Sequence, residues 1–165
     1  MAKKPLILDF SEYDPNNVIA DIENIRRYNR QRFEMEQLTA ICFENVERGI
    51  CVGYKDIAAD EFWTRGHFPG MPLMPGVMMC ECAAQLSSYY CTKFNYLDGV
   101  VGFGGLEEVR FRGVVRPGDR FVVVCRLLKS RRMIMTCEFQ CFVNQNLVCE
   151  GMLKGISLPV DQLTM

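Results

Sequence analysis

His67 is the only histidine among 165 residues, and it lies in the run Arg65-Gly66-His67-Phe68-Pro69-Gly70-Met71-Pro72-Leu73-Met74-Pro75-Gly76. An imidazole can take up a proton near neutral pH, and the prolines around it restrict the loop backbone that carries it. Fourteen residues on stands Glu81, in the first turns of an apolar segment. A carboxyl group on a buried helix can hold or share a proton and serve as a general acid. Pro75-Gly76 opens that helix, so the backbone N–H groups of Gly76 and its neighbours are directed outward at its positive end. They can hold a carbonyl oxygen that gains negative charge. Base, acid and oxyanion donors together describe proton removal beside a carbonyl, with a group leaving from the next carbon.

The elements that must position these groups follow from periodicity. The best helix candidate runs from Val77 to about Phe94; it lacks proline and is apolar on nearly every face, which predicts burial on all sides. Its polar residues Glu81, Gln85, Ser88 and Thr92 recur at helical spacing and form one stripe. Leu38–Phe43 and Ile50–Ile57 read as a β-hairpin joined by Asn45-Val46-Glu47-Arg48-Gly49. Val100–Arg112, Arg120–Leu128, Met133–Val143 and Leu147–Leu158 read as four further strands. The breaks at Arg116-Pro117-Gly118-Asp119, Lys129-Ser130-Arg131-Arg132 and Asn144-Gln145-Asn146 have turn chemistry. Such short connections imply antiparallel pairing. The expected architecture is α+β: one long central helix wrapped by an antiparallel sheet of about six strands. Residues 1–35 are read as an N-terminal arm, with Asn17 capping a short helix that carries Val18, Ile19, Ile22 and Ile25. Residues 36–165 then form the main body of a single domain.

Composition narrows the function classes. Apolar residues make up 49% of the chain and charged ones 24%, the balance of a globular protein. A net charge of −1 does not suggest a nucleic-acid partner. The longest apolar run, Met71 to Tyr90, is broken by Pro72, Pro75, Glu81 and Gln85, so no membrane span is expected. Nine cysteines, several in alternating apolar runs (Cys42, Cys51, Cys125, Cys137, Cys141, Cys149), fit buried free thiols. With no secretory signal read at the start, a reducing cytoplasmic setting is expected. One histidine and no Cys-x-x-Cys pair offer no zinc pattern, and no metal or other cofactor is expected.

The stretch "GHFPGMPLMPGVMMCECAAQ" resembles the signature of the β-hydroxyacyl-acyl-carrier-protein dehydratases of bacterial fatty acid synthesis, the FabA/FabZ type, which runs G-H-F-P-x-x-P-x-x-P-G-V-x-x-x-E-x-x-A-Q. "VGFGGLEEVRFRGVVRPGD" is similar to the family's F-x-x-x-x-x-x-R-F-x-x-x-V-x-P-G-D stretch, and the likeness spans roughly residues 36 to 158. The resemblance implies a hot-dog fold. It also implies a dimer, in some members a trimer of dimers, with His67 of one subunit facing Glu81 of the other. The reaction it implies is loss of water from a (3R)-3-hydroxyacyl thioester to give a trans-2-enoyl thioester. His67 would take the C2 proton, Glu81 would help the C3 hydroxyl leave, and the Gly76 amide would hold the thioester carbonyl. Gln85, one helical turn after Glu81, stands where it can orient that acid. Glutamate at position 81 is closer to the FabZ type, which does not isomerise the double bond.

Phe68, Val77, Met78 and Phe103 read first as core, and the resemblance offers some of them, with Gly104, as walls of an acyl tunnel. The partner it implies, an acyl carrier protein, is acidic. Leu106–Arg132 holds eight Lys/Arg against three Asp/Glu, and Lys129, Arg131 and Arg132 gather at one turn, the expected docking patch. The family's usual P-H-R-x-P-F-L-like entry is reduced here to Asn29-Arg30-Gln31-Arg32-Phe33-Glu34-Met35. That departure leaves open a specialised acyl or polyketide thioester, an acyl-coenzyme A substrate, or a non-catalytic acyl-binding role.

Overall fold

The structure, a computed structural model, describes residues 5–159. Six strands, β1 (Ala40–Asn45), β2 (Ile50–Asp56), β3 (Val100–Phe111), β4 (Arg120–Arg131), β5 (Ile134–Val143) and β6 (Asn146–Leu158), form one antiparallel sheet in the order β1-β2-β4-β5-β6-β3. The sheet wraps the long helix α2 (Gly76–Lys93), which is the hot-dog arrangement. Tight turns join β4, β5 and β6, as the turn residues predict. The crossover through α2 places β3 beside β6, and the chain then crosses back to β4, leaving β3 at one edge of the sheet and β1 at the other.

Helix and sheet meet through Met79, Ala83, Leu86 and Tyr89 on one side and Cys51, Val123, Cys125 and Phe139 on the other, all buried. Gly53 allows the close approach: a Cβ there would lie 3.0 Å from side-chain carbons of both Ile41 and Leu86. The opposite face of β1, β2, β4 and β5 is apolar too. Ala40, Ile50, Val52, Val124 and Phe142 form a second core there, covered by Ile7, Leu8, Phe10 and Tyr13 of the N-terminal arm. Gln140 locks the arm in place, its Oε1 accepting the Ile7 N–H at 2.9 Å and its Nε2 donating to the Pro5 carbonyl at 3.0 Å. β2 thus reads as an almost unbroken apolar run because both of its faces are covered.

Two expectations need correction. Asn17 does not cap a helix: its N–H donates to the Asp14 carbonyl in a turn, and residues 19 and 20 instead exchange backbone hydrogen bonds with Ile41 on the β1 edge. Among the described residues, the only α-helix before β1 is the single turn α1 (Ile22–Ile25), capped by Asp21, whose carboxylate accepts the Asn24 N–H. Val18 and Ile19 are exposed outside it. The unpaired backbone of an edge strand outcompetes a short helix that has a costly nucleus. The second correction concerns α2, which is not buried on every side. Val77 is 73% exposed, and Met78, Glu81 and Ala84 are partly so, because one curved sheet cannot enclose a whole helix.

Candidate functional site

Residues 57–75 carry His67 between β2 and α2. Buried Trp63 anchors this loop, and its carbonyl accepts the His67 N–H at 2.9 Å. A nearly buried ion pair, Lys55 Nζ to Glu61 at 3.0 Å, ties the start of the loop to the end of β2. Phe68 and Met71 exchange backbone hydrogen bonds at 2.9 Å, and Gly70 turns the chain between them with φ +73°. Pro-Gly at the centre of such a turn fits that dihedral, which an L side chain resists. The Leu73 N–H then donates to the His67 carbonyl, and the Leu73 carbonyl lies 2.8 Å from His67 Nδ1. A carbonyl oxygen can only accept, so Nδ1 carries the hydrogen and, in the neutral ring, Nε2 keeps its lone pair. The ring stacks on Phe68 with centroids 4.1 Å apart.

At the start of α2, Pro75 supplies no side-chain cap, and Met78 and Met79 both direct their N–H groups to its carbonyl. The N–H groups of Gly76 and Val77 have no hydrogen-bond partner among the described residues. A Cβ on Gly76 would sit 2.8 Å from the Phe111 ring, which would have to shift to make room.

Glu81 is half-buried one turn further along α2. Gln85, only 2% exposed, donates from Nε2 to Glu81 Oε1 at 2.8 Å and to the Met35 carbonyl at 2.7 Å, while its Oε1 accepts the Gln37 N–H at 2.9 Å. The orientation of that amide is therefore fixed by backbone groups on both sides. Glu81 opens into a cavity of about 140 Å³ lined by Gln31, Ala84, Ser88, Phe103, Met135, Leu153 and Lys154 among others. The cysteines flanking Glu81 are not rival bases. A hydrogen bond that the Cys80 thiol donates to Cys149, together with burial, pushes Cys80 up, and burial pushes Cys82 up.

One chain thus brings Glu81, held by Gln85, and Phe103 to one cavity whose lining does not include His67. Phe68, Val77 and Phe103, read first as core, are 47%, 73% and 50% exposed, and Gly104 is exposed on edge strand β3; Met78 alone of the four apolar residues packs against the core. They are displaced because they sit on a loop tip, a helix start and a sheet edge. Lys129, Arg131 and Arg132 lie together at the β4–β5 turn, beside an open groove of about 570 Å³ that Met133, Ile134 and Thr136 also line. Sequence reasoning missed Gln31, the Met35 carbonyl and the Gln37 N–H. Two of these are main-chain groups, which residue types cannot signal; for Gln31 the only hint was its place in the Asn29–Met35 stretch.

A family model described as the FabA-like domain matches residues 30–152. The chain is 38% identical over 106 residues to the 3-hydroxyacyl-[acyl-carrier-protein] dehydratase FabZ of Lawsonia intracellularis, covering 62% of this chain and 69% of that one. It is 33% identical over 145 residues to the FabZ of Nitratidesulfovibrio vulgaris, covering 86% and 94%. Among solved structures, the dehydratase heterocomplex ApeI:P from Xenorhabdus doucetiae matches with a TM-score of 0.71 at 14% identity, over 84% of this chain and 93% of that one. At that identity the likeness shows the fold.

Proposed function

Since this chain belongs to the FabA-like family, we propose that it dehydrates (3R)-3-hydroxyacyl thioesters carried by acyl carrier protein to trans-2-enoyl thioesters in fatty acid biosynthesis. The thioester carbonyl accepts hydrogen bonds from the Gly76 and Val77 N–H groups, where the helix dipole stabilises the enolate as it forms. His67 Nε2 takes the C2 proton, and the charge gained by the ring is shared with the Leu73 carbonyl through Nδ1–H. Glu81, held by Gln85, gives a proton to the C3 hydroxyl. The C3–O bond breaks, water leaves, and the electron pair from C2 becomes the double bond. The imidazolium then returns its proton to the carboxylate through solvent. No cofactor enters this scheme.

The observation that carries this reading is the preset His67 tautomer, which leaves Nε2 free to act as a base. Glu81 faces a cavity that His67 does not line, so the pair is assigned to two subunits. Edge strand β3 supports that assembly: it exposes Phe103, Leu106 and Phe111 and, among the described residues, has β6 as its only neighbour in the sheet. A second copy pairing there would cover both the apolar side chains and the open backbone edge. The basic turn at Lys129, Arg131 and Arg132, with exposed Met133 and Ile134 beside it, suits an acidic carrier that also presents apolar side chains.

The test is turnover of a short and a long 3-hydroxyacyl thioester, each on carrier protein and on coenzyme A, by the native enzyme, His67→Ala and Glu81→Gln. Turnover on carrier protein that falls at least ~10³-fold in each variant, with circular dichroism unchanged, supports the reading. Near-native turnover in either variant overturns the assigned roles. Lys129→Glu combined with Arg131→Glu is expected to raise KM for the carrier-bound thioester only; an equal rise for coenzyme A would remove the docking assignment.

A further inference from the structure

We propose that Glu36, clamped by Arg26, is a positioning residue for the acid Glu81 and acts on it through the amide of Gln85. This inference rests on the reading above that Glu81 is the acid. The two backbone groups that orient Gln85, the Met35 carbonyl and the Gln37 N–H, flank residue 36 on either side. The Glu36 side chain is 16% exposed and is held by a two-pronged pair, Arg26 Nε to Oε1 at 2.6 Å and Nη2 to Oε2 at 2.8 Å. That guanidinium holds the Glu36 carboxyl below the usual carboxylate range, so the fork is ionised at neutral pH. Arg26 is itself fixed as the C-cap of α1, its N–H donating to the Ile22 carbonyl.

The segment between the two partners is closed on itself. Arg32 donates to the carbonyls of Arg26, Asn29 and Gln31 at 3.2, 2.9 and 2.6 Å. Buried Asn29 donates to the Gln85 carbonyl at 2.9 Å, which seats the loop against α2 beside the acid. A primary amide presents a donor on one side and an acceptor on the other. With the Met35 carbonyl and Gln37 N–H in place, only one orientation satisfies every partner, and that one donates to Glu81. If the 35–37 backbone moves, the flipped amide would turn Oε1 toward the carboxylate, acceptor against acceptor. The Arg26–Glu36 fork therefore decides whether Glu81 meets the substrate hydroxyl in a fixed pose.

The test is a double-mutant cycle on carrier-bound substrate. Glu36→Gln keeps the side-chain volume and removes the charge, and Arg26→Met attacks the same clamp from its more exposed end. Each is expected to lower kcat about tenfold while KM stays within about twofold, and neither is expected to lower kcat further once Gln85→Ala is present. A purely structural role would give the same loss with and without Gln85. That result, or native kcat in both clamp variants while Glu81→Gln is inactive, would overturn this inference and leave the proposed dehydration standing. Activity retained by Glu81→Gln would instead bring down the underlying reading and the inference with it.

Discussion

The chemistry assigned to this chain needs one base, and the local structure removes its competitors. All nine cysteines are buried and unpaired. Burial pushes the Cys42 thiol up to about 12 and raises Cys51, Cys82 and Cys125 as well. Only the thiolate reacts with disulfide reagents, so these groups are silent near pH 8 for two reasons, protonation and lack of access. An aromatic disulfide titrated against native protein at pH 8 is expected to find essentially no thiol on the minute scale, and all nine once the chain is unfolded. Rapid reaction of one thiol in the native state would contradict this account of the core. At this scale the sequence singled out the proposed base, a single histidine among prolines and glycines, and i, i+4 spacing put Gln85 beside Glu81, where the structure finds it. It was silent about the Leu73 carbonyl that sets the tautomer and the Met35 and Gln37 groups that set the amide, because main-chain partners depend on how the loops close.

Among the elements, the loop that delivers His67 depends on a buried charge pair. Lys55 and Glu61 each leave only 10% of the side chain exposed. Removing one partner leaves the other charge uncompensated, which costs about 3–5 kcal/mol, whereas replacing both with apolar groups is often close to neutral. Glu61→Ala is therefore expected to lose about 3 kcal/mol in urea unfolding and to depress kcat through a displaced His67. Lys55→Met with Glu61→Leu should recover most of the stability; if the double variant is as unstable as the single, the desolvation argument fails. The elements differ in how far their sequences foretold them. α2 and the four C-terminal strands follow their periodicity closely, since turn residues separate them. The arm does not: Val18 and Ile19 have helical spacing with Ile22 and Ile25, but the β1 edge takes residues 19 and 20 as a strand partner. That contact is long-range, so no local window contains it.

For the molecule as a whole, the two proposed catalytic residues stand on different elements, and His67 does not line the cavity that Glu81 faces. His67 sits on the loop before α2, while Glu81 faces a cavity bounded by β3, β5 and β6. The apolar side chains exposed along β3 are the surface on which the proposed second copy would pack. Hydrophobicity alone misread Phe68, Val77 and Phe103 as core, because composition does not tell an apolar side chain packed inside from one left at a loop tip, a helix start or a sheet edge. The central claim is that each active site draws His67 from one subunit and Glu81 from the other. The most direct test is to purify, through two different tags, a heterodimer of His67→Ala with Glu81→Gln and to assay it beside both homodimers. One site in that heterodimer keeps both native residues, so about half of native turnover is expected while each homodimer is inactive. A heterodimer as inactive as its parents, from subunits shown to exchange, would place both residues in one chain and contradict the account.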